Sequence, residues 1–261
     1  MAPIIQVFGF SVQAGPLAAL IGFVAGLSFA ARLARWRDVD GAAIHDAGFY
    51  GALAGLLAAR FGYVVAHWSA YASEPLSALM PSLTALWPWT GWPVGLAVAG
   101  WMLWRKGMAR AEVLDVLAPG VLLGAIGMAA ADFLNGDSLG LPTTLPWGVA
   151  LWGVVRHPVP LYEIAALVII AGSAVVSVRR PLPAGAVALG ALAAYAMARV
   201  AVDGFRADGA LLAGLRVSQL AGVGVSAVAL WLLSEVLATS VPAHRNPTHF
   251  IEAESHADNS Q

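Results

Sequence analysis

Hydrophobic positions fall in blocks of about 20, the length a helix needs to cross a hydrocarbon core of ~30 Å. The first block runs from about Gly15 to Leu33, and Arg32, Arg35 and Arg37 close it. A second runs from about Ala47 to Ala66, with Arg60 inside it. Pro81 to Trp92 is a Trp- and Pro-rich approach whose Trp87, Trp89 and Trp92 suit a membrane interface. The third block, about Gly91 to Trp104, is short and open to beginning as a broken or re-entrant helix; Arg105, Lys106 and Arg110 follow it. The fourth runs from about Val113 to Leu134, the fifth from Pro160 to Val178, the sixth from Ala184 to Val202, and the seventh from Val217 to Leu237. Leu141 to Val155, with Pro142, Pro146, Gly148, Trp147 and Trp152, reads as a loop or interfacial arm. The pattern predicts an all-α fold, a polytopic membrane helix bundle of about seven transmembrane helices. One membrane domain covers 1–238, and 239–261 is a polar, disordered tail.

Composition agrees with the pattern. Hydrophobic residues make up 59% of the chain and charged residues 11%, against about 25% charged in an ordinary soluble domain. A net charge of −1 argues against a basic nucleic-acid binder. There are no cysteines, so any thiol in the chemistry arrives on a substrate, and disulfides and thiolate metal sites are excluded. Met1 to Gln13 lacks the basic start of a cleavable signal peptide, so the first span is expected to stay in the mature protein. Arg32, Arg35, Arg37, Arg105, Lys106, Arg110, Arg179, Arg180 and Arg245 all fall on one side. By the positive-inside rule that side is the cytoplasm, with the N-terminus outside and the C-terminus inside. Small residues, as in Ala184-Gly185-Ala186 and Leu189-Gly190-Ala191, would let helix backbones approach closely.

Against this apolar background the polar residues concentrate in Asp132 to Gly140 and in Arg156 to Glu163. Lipid tolerates such groups only where protein or water meets them. Asp132 and Asp137 are candidates for acid and base or for metal ligands, with loop capping by Asn135 and Asp137 through Asx turns as the plainer reading. His157 is a candidate general base; the plainer reading is a helix start with Pro158 near the first turn. Arg60, in mid-span, needs a partner or a wet cavity, whether it is structural or functional. Tyr195 and Arg199 share a helix face, and Arg206 joins them if the helix continues. Arg199 is also four residues from Asp203, so a local ion pair competes with anion binding. A guanidinium fork suits phosphate, and in a membrane the abundant phosphate is a lipid headgroup. His45, His67, His244, His249 and His256 are isolated. No glycine-rich phosphate loop or nucleophile elbow occurs, and no cofactor or metal is called for. A channel or carrier stays open on composition, although no paired inverted segments are visible.

The stretch Arg156-His157-Pro158-Val159-Pro160-Leu161-Tyr162-Glu163 resembles the His-Pro-x-x-Leu-Tyr-Glu motif of prolipoprotein diacylglyceryl transferases. Asp132-Phe133-Leu134-Asn135-Gly136-Asp137-Ser138-Leu139-Gly140 is similar to the second half of that family's Gly-Arg-x-Gly-Asn-Phe-x-Asn-Gly-Glu-x-x-Gly signature. Arg60-Phe61-Gly62-Tyr63, Tyr195-x-x-x-Arg199, Asp203-Gly204-Phe205-Arg206 and Ser218-Gln219-Leu220 resemble further family segments, in the same order. The resemblance implies seven spans in the bacterial inner (plasma) membrane. It also implies transfer of a diacylglyceryl group from phosphatidylglycerol, or a related anionic lipid, to a lipobox cysteine of a lipoprotein precursor. Arg60, Arg199 and Arg206 would hold the headgroup, and Asp132 or His157 would act as base. Asn135, Asp137, Gly140 and Tyr195 would shape the pocket. The chain departs from the family at four positions. The family's histidine falls on Thr90, its signature arginine on Ala129, its signature asparagine on Asp132 and its first-span tyrosine on Ala14. A non-catalytic lipid-binding paralogue is therefore the alternative expectation.

Overall fold

The structure is a computed structural model that describes residues 4–7, 10–79, 85–108, 110–138, 140–151, 153–212 and 215–240. After a hairpin of β1 (Ile4–Val7) and β2 (Phe10–Gln13) come helices α1 (Ala14–Leu33), α2 (Gly41–Ala66), the one-turn α3 (Trp68–Tyr71), α4 (Pro88–Arg105) and α5 (Ala111–Asn135). A second hairpin, β3 (Val149–Leu151) and β4 (Val154–Arg156), leads to α6 (Val159–Val178) and α7 (Ala186–Asp203). A third, β5 (Leu211–Leu212) and β6 (Leu215–Arg216), leads to α8 (Val217–Ser240). The fold is a polytopic helical bundle. Among the described residues six helices are long and apolar enough to cross a membrane: α1, α2, α5, α6, α7 and α8. The expected third span is α4, 18 residues long with Pro93 inside it; its Trp, Pro and Gly content keeps it out of that set. Large apolar side chains such as Phe61 and Ile169 point outward, as helices packed in lipid require.

Three features differ from the sequence reading. The segment 141–155 is not simply a loop, because it carries the antiparallel β3–β4 pair. Helix α8 continues through Ser240, past the expected start of the polar tail at 239; residues 241–261, Arg245 among them, lie outside the described residues, as do residues 81–84 of the Trp- and Pro-rich approach. Close helix contacts also fall on other glycines than those singled out. Gly190 has open space beside it, and Gly185 sits at φ +87° before α7. The close approaches are Gly22 on Gly127 and Gly26 on Gly120 between α1 and α5, and Gly51 and Gly55 on Gly91 and Gly95 between α2 and α4. A methyl group at any of these would meet the facing backbone, which is why small residues mark membrane helix interfaces.

Arg35, Arg37 and Arg179 meet at one end of the bundle. Arg37 donates to the carbonyls of Val178 (3.1 Å) and Leu182 (2.8 Å) and faces Asp115 at 3.7 Å. The guanidiniums of Arg35 and Arg179 both lie over the Trp36 ring. Asp115, fully buried in α5, accepts from the backbone N–H groups of Gly185 and Ala188, both at 2.9 Å. It thus caps the start of α7 from a neighbouring helix, where the free N–H groups and the helix dipole favour a carboxylate.

At the opposite end α5 stops in a backbone cap. Gly136, at φ +74°, donates to the carbonyl of Phe133, and Asp137 N–H donates to that of Asp132. This pattern satisfies the last helical carbonyls without side chains, so the expected Asx capping is not what ends the helix. Asn135 instead lies against Gly15 at the start of α1, where any Cβ would overlap its amide. Asp137 is exposed.

Candidate functional site

Beyond the cap, three short backbone segments line up side by side. Gly140 bridges to Arg206 and Pro142 to Arg156. Leu141 N–H donates to Phe205 O (2.8 Å), and His157 N–H donates to Leu141 O (3.0 Å). The side chain of Arg156 donates to Gly140 O at 3.0 Å. Gly140 is buried, and a Cβ there would overlap the carbonyl of His157, so this crossing needs glycine. The layer holds the ends of α5 and α7 and the start of α6 at one place.

Four charged side chains meet under it. Glu163, one turn into α6, takes Arg199 Nη1 at 2.8 Å on each oxygen and the Tyr195 hydroxyl at 3.1 Å. Asp203, at 1% exposure, faces Arg199 at 3.0 Å and Arg206 at 3.3 Å. Arg206 also approaches Glu163 at 3.8 Å. Its Nη2 donates to Ser138 Oγ (3.1 Å), and Ser138 donates to Asp132 Oδ2 (3.2 Å). Burying such groups is tolerable only when each finds a partner of opposite charge, and here two carboxylates alternate with two guanidiniums.

A second group adjoins the first through the turn after α7. Trp147 Nε1 donates to the Tyr162 hydroxyl at 2.8 Å, and His157 Nδ1 lies 3.1 Å from the same oxygen. Phe205 packs on both rings, with centroids 5.1 Å from His157 and 5.5 Å from Tyr162.

The structure therefore links Asp132, Tyr195, Arg199 and Arg206 in one polar chain and sets Gly140 and His157 beside it. The local Arg199–Asp203 pair forms, but Arg206 does not continue the helix face. The helix ends at Asp203, and Arg206 returns through a turn in which its N–H donates to Asp203 O. Arg60 is placed elsewhere. Its contacts include the carbonyls of Ser77, Ala78 and Ala85 and the hydroxyl and ring of Tyr71. Thr90 shares its hydroxyl between the carbonyls of Ala58 and Trp87, both at 3.0 Å, and fills the space beside Gly62. Ala129 is buried in an apolar cluster with Leu122, Leu167 and Ile170, and Ala14 is buried at the start of α1.

The reading of single residues passed over Glu163, which is the hub, and Ser138 and Asp115. Glu163 carried a usable signal: a carboxylate inside an apolar span is as costly as the arginine at position 60 and needs a partner for the same reason.

The sequence model of the family described as prolipoprotein diacylglyceryl transferase matches residues 3–234. The phosphatidylglycerol–prolipoprotein diacylglyceryl transferase of Gloeobacter violaceus is 31% identical over 252 residues, covering 88% of this chain and 92% of its own. The protein of that name from Synechococcus elongatus is 29% identical, with coverage of 81% and 78%. The one from Finegoldia magna is 25% identical, with coverage of 84% and 89%. By the match along nearly its whole length, the chain belongs to the prolipoprotein diacylglyceryl transferase family.

Proposed function

We propose that this protein transfers a diacylglyceryl group from phosphatidylglycerol, or a related anionic phospholipid, to the cysteine thiol of a lipoprotein precursor. The observation that carries this reading is the polar chain from Asp132 through Ser138, Arg206 and Glu163 to Arg199 and Tyr195, set at one end of a bundle of apolar helices. A thiolate attacks the glyceryl carbon; the S–C bond forms, the C–O bond breaks, and its electron pair stays on the phosphate oxygen. Arg199 and Arg206 supply positive charge for the headgroup, and Arg60 adds charge from the α2 side. Fixed donors of this kind stabilise charge that develops on a leaving group. Asp132 or His157 takes the thiol proton, while Tyr195, Asn135, Asp137 and Gly140 shape the site. The membrane domain, 1–238, lies in the bacterial inner membrane with the site outside and the basic end in the cytoplasm, as the distribution of Arg and Lys favours.

A second reading, a lipid-binding relative without turnover, is favoured by one observation: Ala129, where the family resemblance expects an arginine, sits among apolar side chains. Complementation separates the two. In a bacterium depleted of its own transferase, this chain should restore lipid modification of a lipoprotein reporter, and Arg199→Ala should abolish it while still inserting. Normal modification by Arg199→Ala refutes the residue assignment. No modification by the intact, membrane-inserted chain refutes the enzymatic reading and leaves the second.

A further inference from the structure

We infer that Tyr162 and Trp147 are positioning residues that hold His157 with its proton on Nε2, so that His157 donates a hydrogen bond to the leaving phosphate and the thiol proton goes to Asp132. An indole N–H can only donate, so Trp147 gives its proton to the Tyr162 oxygen at 2.8 Å. The same oxygen lies 3.1 Å from His157 Nδ1. Among the described residues these are the only polar partners of that hydroxyl. Tyr162 has one proton of its own. Directed at Nδ1, it completes a chain from Trp147 through Tyr162 to His157 in which every group is satisfied. The opposite assignment, with Nδ1–H donating, aims two donors at one oxygen and leaves the tyrosine proton with no acceptor among the described residues.

The geometry also restrains the rings. Phe205 packs against both, and the backbone N–H of His157 is tied to Leu141. A neutral imidazole whose Nδ1 accepts carries its proton on Nε2. That nitrogen cannot receive a proton, but it can donate to an anion. To serve as a base there, the ring would have to exchange tautomers and break the bond from Tyr162.

Asp132 has the complementary property. Its hydrogen bond comes from Ser138 to Oδ2, and it makes no ion pair among the described residues. Oδ1 therefore keeps its lone pairs for a proton. The catalytic role rests on the transferase reading; the tautomer does not. In the balanced step the thiol proton moves to Asp132, the S–C bond forms and the C–O bond breaks. The electron pair remains on the phosphate oxygen, which accepts the Nε2–H hydrogen bond. His157 loses no proton.

The test is nitrogen NMR on the full chain in micelles with ¹⁵N-labelled histidine, the His157 signals being assigned by their loss in His157→Gln. We expect neutral His157 to show a protonated Nε2 and an acceptor Nδ1. Tyr162→Phe should shift the tautomer ratio by about tenfold, the effect of one hydrogen bond of ordinary strength. Trp147→Phe, at a residue 57% exposed, should shift it in the same direction by less and gives the answer if Tyr162→Phe does not fold. A protonated Nδ1 in the unaltered chain, or a ratio that neither substitution moves, overturns the inference. Reporter modification is followed in the same variants: reduced modification in Tyr162→Phe supports the catalytic role. An unaltered chain that modifies nothing, yet keeps the Nε2 tautomer, overturns the enzymatic reading and leaves the relay standing.

Discussion

Truncating Glu163 to alanine removes the hub of the charged cluster. The carboxylate receives Arg199 on both oxygens at 2.8 Å and Tyr195 at 3.1 Å, while Arg206 stands at 3.8 Å. Removing one member of a fully buried pair costs 3–5 kcal/mol when the other charge is left stranded. Here the cost is at the low end for two reasons. The Arg199 side chain keeps 26% exposure, and Asp203 still faces both arginines. A charge-assisted hydrogen bond from Arg199, about 1.5–3 kcal/mol, and the bond from the Tyr195 hydroxyl, about 1 kcal/mol, add to about 2.5–4 kcal/mol. At 2–4 °C per kcal/mol for a chain of this size, the unfolding midpoint falls by roughly 5–16 °C. The assay is thermal unfolding in detergent micelles, followed by tryptophan fluorescence. Glu163→Gln keeps an acceptor for Tyr195 and loses only the charge, so its drop should be about half as large. A Glu163→Ala midpoint within roughly 2 °C of the unaltered chain would refute the account, because that shift corresponds to only about 1 kcal/mol or less.

Two further outcomes concern the other end of the bundle and its orientation. Asp115→Ala leaves two backbone amides at the start of α7 without their acceptor and takes away the carboxylate facing Arg37, and should destabilise the fold by about 3–5 kcal/mol, more than Glu163→Ala, in the same melt; an unchanged midpoint would show that water or backbone replaces the carboxylate. Because the chain has no cysteine of its own, single cysteines report topology cleanly. Thr144→Cys should react with a membrane-impermeant maleimide in intact spheroplasts and Arg180→Cys only after permeabilisation, and the reverse pattern would invert the proposed orientation.

The apolar runs were legible because a bilayer imposes a length. The ends of α1, α5, α6 and α8 lie within three residues of the expected spans, whereas α2 starts six residues earlier, at Gly41, where the Asp40 side chain caps its first N–H groups. The Arg199–Asp203 contact was legible as well, since four residues make one helical turn. The pairing of Arg199 with Glu163 was not: it joins α7 to α6 across 36 residues, and its existence depends on how two helices pack. The hairpin β3–β4 was hidden by prolines and glycines that read equally well as loop. Which glycines meet was hidden too. Gly22 and Gly127 are 105 positions apart, and nothing local distinguishes them from Gly190, where an added Cβ would meet nothing within 4 Å among the described residues.

What the sequence alone determined is the class of molecule, a helical membrane bundle, and the two polar stretches at which its chemistry collects. It could do so because a hydrocarbon solvent makes every charge in a span conspicuous. Only the tertiary structure decided which charges neutralise one another. It made Glu163 the partner of Arg199 and Tyr195, returned Arg206 to the cluster through a turn, and put Asp132 at the end of the chain of bonds through Ser138. The physical reason is range: the cost of placing a residue in lipid is a property of that residue and its near neighbours, whereas an ion pair acts over a few ångströms between atoms that the sequence leaves far apart.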